Sequence, residues 1–408
     1  MSYMQHQYPP PAAAAAPPSA YMDSGMGRSP TFLVGTTHQR NNLEELQRRE
    51  QQFSEQYQKN KPLCFNGQAY QKTHPKKAAR GCKDADATLT SPMMLGVADG
   101  VSQIEEFGID PSELPQELLK QCEDLALNRL FPDLSNHQRD GYTGPIPLMT
   151  EAFENTECMG STTVLLAILD NSTQIHGKLH PMVAVLAIGD CELLVLRRCQ
   201  GRSSPLQAVF HTEMQRIDGH AQTPLQLARV DDRVDPNYDE EIALEVIERG
   251  SAVHCVSAYE GDIVVLGSDG VFDNLFLDEI AELCNSMLRP VPAGGRFTPT
   301  DPGLLQQVAR QIVELCHKKT RPSPNGRYAE TPIGKGGKID DTSCVVGEIV
   351  EWTEEHASKW SSVRRQRQIR NFVTCGGRCG GWDGGDSDED LNYNGRSVSK
   401  GGAECSIC

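Results

Sequence analysis

The sequence has few of the features that mark membrane-spanning, nucleic-acid-binding or secreted proteins. Its longest apolar runs, Val164 to Leu169 and Met182 to Ile188, are well short of the ~20 residues that span a bilayer. Basic residues are scarce, with 39 Lys and Arg against 55 Asp and Glu and a formal net charge of -16, so nucleic acid is not an expected partner. Because no basic region leads into an apolar core near the N-terminus, we expect no secretory signal, a cytoplasmic location and 14 cysteines that are mostly thiols.

Large apolar residues are also sparse at both ends of the chain. Residues 1–60 open with Pro and Ala runs and continue through Gln, Asn and Arg, which is typical of a disordered arm. Met1 to Gly27 contains no Lys or Arg, so a mitochondrial transit peptide is the less favoured interpretation. Residues 354–408 turn basic, then glycine-rich, then acidic, and we expect them to form a flexible tail.

Residues 61–353, by contrast, have the patterns of one globular domain. Short β-branched apolar runs bounded by Gly, Asp or Asn predict the strands Met93 to Ala98, Thr162 to Leu169, Met182 to Ile188, Glu192 to Leu196, Asp262 to Leu266 and Ser343 to Val350. Helical spacing occurs in Pro111 to Leu130, Leu277 to Leu288 and Gly303 to His317. Strands cluster and helices fall in blocks, which predicts an α+β fold with antiparallel sheets. Continuously apolar strands further predict two packed sheets with helices outside.

Aspartate stands at the ends of several of these predicted strands, often beside glycine. The pairs are Asp99-Gly100, Gly189-Asp190, Asp269-Gly270 and Asp340-Asp341. A rigid strand end that delivers a carboxylate, with glycine allowing close backbone approach, suits a hard divalent cation. Each pair alone is more often a simple turn, but the set together predicts a metal site.

Five blocks of sequence carry a resemblance to the metal-dependent (type 2C) protein serine/threonine phosphatases. They are Leu95 to Val101, Met159 to Thr163, Ala187 to Asp190, Gly261 to Asn274 and Lys338 to Ser343. The resemblance covers Arg80 to Val350 approximately and, through Gly108 to Pro111 and Thr223 to Leu227, is strongest to the branch with mitochondrial and plastid members. It implies a four-layer αββα sandwich, phosphoserine and phosphothreonine substrates in phosphoproteins, and Mn or Mg between two antiparallel sheets.

The resemblance also implies particular ligands, carried over position by position. Asp99 would bridge two metal ions with help from the Gly100 carbonyl, and Asp269 and Asp340 would complete the pair. Asp99, Asp269 and Asp340 are therefore the expected catalytic residues, acting through water that two ions about 3.5 to 4 Å apart activate. Asp190 and Asp273 match the ligands of a weaker third ion. Asp86 is a candidate for a residue that supports the metal ligands without binding metal itself.

Two departures from the family pattern concern acid groups. The residue before Asp86 is usually acidic in the family but is Ala85 here. An expected acidic group is therefore missing, unless Asp84 takes its place. Val101 stands where many members have a His that protonates the leaving group, so the general acid is unassigned. The altered position 85 leaves an alternative function open, namely a catalytically weak pseudophosphatase that binds phosphoproteins or acts as a scaffold. The retained metal-binding aspartates oppose it.

A third departure concerns the phosphate-binding Arg, which corresponds to either Arg80 or Lys83 because the segment around Cys82 is shortened. Two other phosphatase patterns occur in the chain. Asp84 to Thr88 fits the DxDxT pattern of aspartyl-phosphate enzymes but lacks the apolar strand that should precede it. Cys191 and Arg197 have the C-x5-R spacing of cysteine phosphatases, yet the residues between them are apolar and strand-like, so we expect a structural cysteine.

The last four residues, Cys405 to Cys408, have the C-a-a-X form of a prenylation site, with an atypical final Cys. An unmodified tail is slightly favoured. Because one lipid chain binds membranes only marginally, a peripheral tether would need a second signal, for which Cys375, Cys379 and the basic run Arg364 to Arg370 are candidates.

Overall fold

The computed structural model describes residues 61–134, 141–175, 177–217, 223–290 and 297–376, with side chains described as far as residue 367. The predicted disordered arm, the glycine-rich part of the tail and the Cys405 candidate lie outside these residues, so their expectations stay predictions. Among the described residues, no helix is both long and apolar enough to cross a membrane.

Two five-stranded antiparallel sheets form the centre of the domain. The first sheet contains β1 (Leu63–Lys72), β6 (Glu192–Arg197), β7 (Gln207–His211), β9 (Ile263–Gly267) and β10 (Thr342–Glu351). Their spatial order is β1-β10-β9-β6-β7. The second sheet contains β2 (Asp86–Ser91), β3 (Met94–Asp99), β4 (Val164–Asp170), β5 (Met182–Ile188) and β8 (Ala252–Ser257). Their spatial order is β8-β5-β4-β3-β2. Short two-stranded pairings join Gly160–Thr162 to Leu227–Arg229, Gln174–Ile175 to Lys178–Leu179, and Glu330–Thr331 to Gly334–Lys335.

The α-helices flank the two sheets. They are α1 (Pro75–Ala78), α2 (Glu113–Arg129), α3 (Pro145–Glu154), α4 (Glu240–Glu245), α5 (Asp269–Phe272), α6 (Leu277–Met287), α7 (Pro302–Lys319) and α8 (Glu354–Gly376). A 3-10 helix covers Ser102–Phe107, and α4 continues into a π-helical turn at Val246–Gly250.

The four layers follow from the two-residue period of the strands. In β4, Leu165 joins the core between the sheets, while its neighbours Val164 and Leu166 join the core beneath α2 and α3. In β6, Leu193 likewise faces the other sheet, and Leu194 faces the core under α6 and α7. Successive side chains point to opposite faces, so a strand covered on both sides is apolar throughout. The chain is therefore an α+β, four-layer αββα sandwich, as predicted.

The sequence prediction was wrong about the start of the tail. Residues 354–376 were expected to be flexible, whereas the structure places them in α8. Trp360 packs against the core under α2, and the Arg367 guanidinium lies 2.7 Å from a carboxylate oxygen of Glu123 and 3.1 Å from one of Asp124. These long-range contacts, which the local sequence does not reveal, hold the first part of the tail.

Candidate functional site

The aspartates predicted to bind metal converge at one end of the sandwich. In the second sheet, antiparallel pairing sets Asp86, at the start of β2, opposite Asp99 at the end of β3. In the first sheet, Asp269 follows β9 and Asp340 precedes β10, two strands that are paired antiparallel. The end of one strand therefore adjoins the start of the next in both sheets, and the carboxylates of the two sheets meet.

Glycines 100 and 270, which follow two of these aspartates, are required by close backbone approach. A Cβ atom on Gly100 would lie 2.2 Å from the carbonyl oxygen of Pro111 and 2.6 Å from that of Ala85. A Cβ atom on Gly270 would lie 2.2 Å from the carbonyl oxygen of Asp341. Neither contact is tolerable, so only glycine lets these turns bring their aspartates to the cleft.

An open cleft of ≈ 600 Å³ lies over the aspartates. Acidic residues share its wall with basic ones, and the charged residues that line it are Lys77, Arg80, Asp99, Asp190, Asp269, Lys338 and Asp340. No histidine is among the described residues that line this cleft, so the leaving-group acid stays unassigned. Val101, which stands where many members of the resembling family have histidine, lines the cleft as well.

Two lysines neutralise part of the carboxylate cluster. The Lys338 ammonium bonds to Asp269 and lies 2.8 Å from Asp340 Oδ2. Lys77 Nζ lies 2.8 Å from both Asp340 Oδ1 and Asp341 Oδ2. Although burial opposes its charge, Lys338 has a pKa above its ordinary value because Asp269 and Asp340 surround it. Both carboxylate oxygens of Asp340 thus face ammonium groups.

These ammonium groups do not balance all of the negative charge. Burial, the largest cause, raises the pKa of Asp86 to about 8 and that of Asp269 to about 7. Burial and the charges of Asp86, Asp269 and Asp340 raise the pKa of Asp99 well above its usual range. The pKa of Asp340 is lowered, despite burial, by Lys338 and Lys77. Further positive charge is needed before the whole cluster can ionise.

The donor chemistry fits a hard divalent cation. Asp269 Oδ1 and Asp341 Oδ1 are buried and have no hydrogen-bond partner among the described residues. Carboxylate and carbonyl oxygens are the ligands that Mg²⁺ and comparable ions take in proteins. In the side-chain positions seen, no three acidic, His or Cys side chains of the described residues enclose a common point. Lys338 lies between Asp269 and Asp340, so a cation would have to displace its ammonium group.

Asp190 and Asp273, the predicted ligands of a third ion, are joined by an arginine. Arg216 Nε lies 3.2 Å from Asp190 Oδ2, and Arg216 Nη2 lies 2.9 Å from Asp273 Oδ2. Both carboxylates are buried, so the guanidinium supplies the charge that a third ion would supply. The third ion stays a prediction, and a cation at this position would compete with Arg216.

The structure separates some of the alternatives that the sequence left open. Arg80 lines the cleft, whereas Lys83 is largely exposed and is bonded to Asp110 at 2.6 Å. The Asp84 side chain accepts a hydrogen bond from the Asp86 amide, and its charge contributes to the raised pKa of Asp86. Asp84 therefore lies beside the cluster, while the Ala85 side chain is buried and uncharged.

Cys191 and Arg197 do not form a cysteine-phosphatase site. Cys191 is buried next to the Thr163 hydroxyl, with its Sγ 3.2 Å from Thr163 Oγ1, and burial raises its pKa well above the usual range. Arg197 lies at the other end of β6 and forms a two-pronged ion pair with Asp262. A buried thiol that stays protonated, with Arg197 engaged by Asp262 at the far end of the strand, cannot act as the nucleophile.

The sequence reasoning missed Lys77, Lys338 and Arg216. Lys338 begins the block Lys338 to Ser343 and stands two residues before Asp340, and this short distance in the sequence was the one sign that it lies near the site. Lys77 comes from the short helix α1, and Arg216 comes from an irregular segment. Their positions depend on tertiary packing, so no local pattern identifies them.

No family model matches this chain. Among curated proteins, it is 26% identical over 298 residues to probable protein phosphatase 2C 55 of Arabidopsis thaliana, covering 72% of this chain and 54% of that protein. It is also 26% identical over 308 residues to the human protein phosphatase PTC7 homolog, covering 71% of this chain and 87% of that protein. The chain thus spans about half of the first relative and most of the second.

Solved structures give weaker similarities. The photosystem II phosphatase PBCP is 24% identical, with a TM-score of 0.47 and coverage of 70% of this chain and 98% of that one. The catalytic domain of the serine/threonine phosphatase PstP, solved with two manganese ions, is 15% identical, with a TM-score of 0.38 and coverage of 71% and 100%. The assignment of the fold rests on the sheet order and the layers described above.

Proposed function

We propose that this chain is a metal-dependent (type 2C) protein serine/threonine phosphatase that removes phosphate from phosphoserine and phosphothreonine in phosphoproteins, as its similarity to curated protein phosphatases supports. The observation that carries the proposal is the convergence of Asp99, Asp269 and Asp340 on one cleft from the ends of two packed sheets, with Asp86 buried opposite Asp99 in the strand register. The similarity supports the substrate class, and the names of the relatives give no support to the pseudophosphatase alternative.

Asp99, Asp269, Asp340 and the Gly100 carbonyl are the groups that would hold Mn or Mg, two ions in the main site and a third at Asp190 and Asp273. Divalent ions at such a site polarise the phosphoryl oxygens and lower the pKa of the water that attacks phosphorus. Asp86 lies opposite Asp99 in the strand register, where its carboxyl group would help to hold and orient the Asp99 side chain.

The chain's own cations supply the groups that would orient the phosphate. Lys77, Arg80 and Lys338 line the same cleft as the carboxylates. Two of them are bonded to carboxylates, and a phosphate dianion attracts the same ammonium groups once the aspartates have other positive partners. Arg80 presents a planar guanidinium, the geometry that suits two-pronged binding of phosphate.

The same cleft accounts for the leaving group only in part. Val101 has no proton to give, and no described cleft residue is a histidine. The group that protonates the departing serine or threonine oxygen therefore stays unassigned. A cytoplasmic location, with or without a tether at Cys405, stays part of this proposal.

The test is a phosphatase assay on the purified full-length chain with phosphoserine and phosphothreonine peptides. We expect hydrolysis that depends on Mn²⁺ or Mg²⁺, is abolished by EDTA and returns when excess metal is added. The control is a phosphotyrosine peptide, which we expect to be hydrolysed more slowly. Metal binding without turnover of any phosphopeptide would favour the pseudophosphatase instead.

A further inference from the structure

A second, mainly apolar groove opens beside the aspartate cleft. It has a volume of ≈ 380 Å³, and its walls include Ile104, Phe107, Val230, Val234, Ile242 and Val246. Phe107 is 41% exposed and Ile242 is 54% exposed, although both are large apolar side chains. Covering apolar surface of this kind with another apolar group lowers the free energy of the system.

The groove is continuous with the cleft. Val101, Gln103 and Gln226 line both of them, so one ends where the other begins. Val101 directly follows the Asp99-Gly100 pair and begins the segment that continues into the 3-10 helix Ser102–Phe107. A polypeptide with its phosphorylated side chain over the aspartates would therefore have neighbouring residues within reach of the groove.

The elements that wall the groove are acidic. Glu105 and Glu106 are exposed on the 3-10 helix, Asp235 lines the groove, and Glu241 is exposed in the first turn of α4. The basic residues of the adjoining segment are already bonded to acids: Arg229 to Glu240 at 2.7 Å, and Arg233 to Asp231 at 2.7 Å. An apolar floor within an acidic surround complements a segment that is apolar and basic.

We propose that this groove binds an apolar side chain close to the phosphorylated serine or threonine of the substrate, with Lys or Arg beside it. The proposal rests on the proposed phosphatase function and adds a sequence preference to it. The cleft binds the phosphate, and the groove binds an apolar side chain of the polypeptide that carries it. Filling such a pocket with an apolar side chain is expected to raise kcat/KM about 10-fold.

The experiment compares phosphothreonine peptides of one length with the full-length protein. Each position that flanks the phosphothreonine carries Leu in one peptide and Ser in the matched peptide. The whole set is made twice, once with Lys and once with Glu beside the varied position. We expect one or two positions at which Leu raises kcat/KM about 10-fold, and more in the Lys series. Equal kcat/KM for Leu and Ser at every position would overturn the proposal.

Variants in two different elements that line the groove then locate the preference. Ile242→Ser and Phe107→Ser are expected to reduce the Leu-to-Ser ratio of kcat/KM toward one. Val253→Ser is the matched control, because Val253 is a similarly exposed apolar residue on the edge strand β8, at 43% exposure. A ratio that survives in both groove variants would contradict the proposal.

A small aryl phosphate separates this inference from the proposed function. Wild-type protein that hydrolyses neither the aryl phosphate nor any peptide would remove the phosphatase assignment and the groove with it. Wild-type protein that hydrolyses both, with no peptide preference, would remove the groove alone. A change from monomer to dimer that abolishes the preference would assign the groove to a second copy and overturn the proposal.

Discussion

Replacing Lys338 with methionine tests whether its ammonium group occupies the position between Asp269 and Asp340 that a divalent ion would take. Lys338 is bonded to Asp269 and Asp340, and its side chain is 24% exposed while that of Asp269 is 5% exposed. Methionine fills similar volume without charge. In metal-free protein the change removes the ammonium group from two carboxylates that are largely buried.

The size of the effect follows from that burial. Removing one partner of a buried ion pair costs roughly 3 to 5 kcal/mol. Asp340 keeps its bond to Lys77, and the pair borders an open cleft, so we expect a loss of about 3 kcal/mol in the free energy of unfolding without metal. A divalent ion would no longer compete with the ammonium group. If half of that loss returns on binding, the Kd for Mn²⁺ falls about 10-fold, since 1.4 kcal/mol is one factor of ten.

Two measurements check this result. Urea denaturation in EDTA gives the free energy of unfolding, and titration calorimetry with Mn²⁺ gives the Kd. Lys335→Met is the control: the Lys335 side chain is 74% exposed, lies 3.7 Å from a carboxylate oxygen of Glu330, and stands three residues before Lys338 in the chain. We expect it to change neither quantity. A Kd for Lys338→Met that is unchanged or weaker than wild type would refute the displacement argument.

The remaining predictions concern the turn at the site, the buried cysteine and the tail. Gly100→Ala should lower Mn²⁺ affinity and turnover at least about 10-fold, because 1.4 kcal/mol of strain is enough and its Cβ would meet two carbonyl oxygens within 2.6 Å; wild-type Kd by calorimetry would contradict this. Cys191→Ser should keep substantial turnover, since the thiol is buried and not ionised; a folded but inactive variant would revive a thiolate mechanism. Intact-mass spectrometry of protein from its native cell should show whether Cys405 is prenylated, and an unmodified Cys405 followed by its last three residues would exclude that tether.

The sequence reveals the fold best where strands are buried on both faces. β4, β5 and β6 are continuous apolar runs, and the prediction matched them to within a few residues. β1 was missed because its second half is polar and only partly buried, and β8 because His, Cys and Ser interrupt its apolar pattern. Strands at or near a sheet edge need less apolar sequence, so composition marks them weakly.

The candidate site divides in the same way. Asp99, Asp269 and Asp340 could be predicted as candidates because each adjoins a recognisable strand, which is a local property of the sequence. Lys77 and Arg216 could not be predicted because they reach the aspartates from a short helix and an irregular segment far away in the sequence, and only the folded chain shows the contact. The buried acidic cluster itself predicts that cations lie nearby, because buried carboxylates require positive partners. The sequence does not show which basic residues supply that charge.

The most direct test of the account is the effect of Asp269→Asn on turnover at saturating Mn²⁺. Asp269 follows β9 in the cleft, and an amide cannot supply the charge that a carboxylate gives to a divalent ion. Asp278→Asn, in the first turn of α6 and outside the cleft, is the control and should retain full activity. We predict that Asp269→Asn folds, with an unchanged circular dichroism spectrum, and hydrolyses phosphothreonine peptide at least about 100-fold more slowly, a loss of about 2.7 kcal/mol in transition-state stabilisation. Full activity in folded Asp269→Asn would contradict the assignment of this cleft as a metal-dependent phosphatase site.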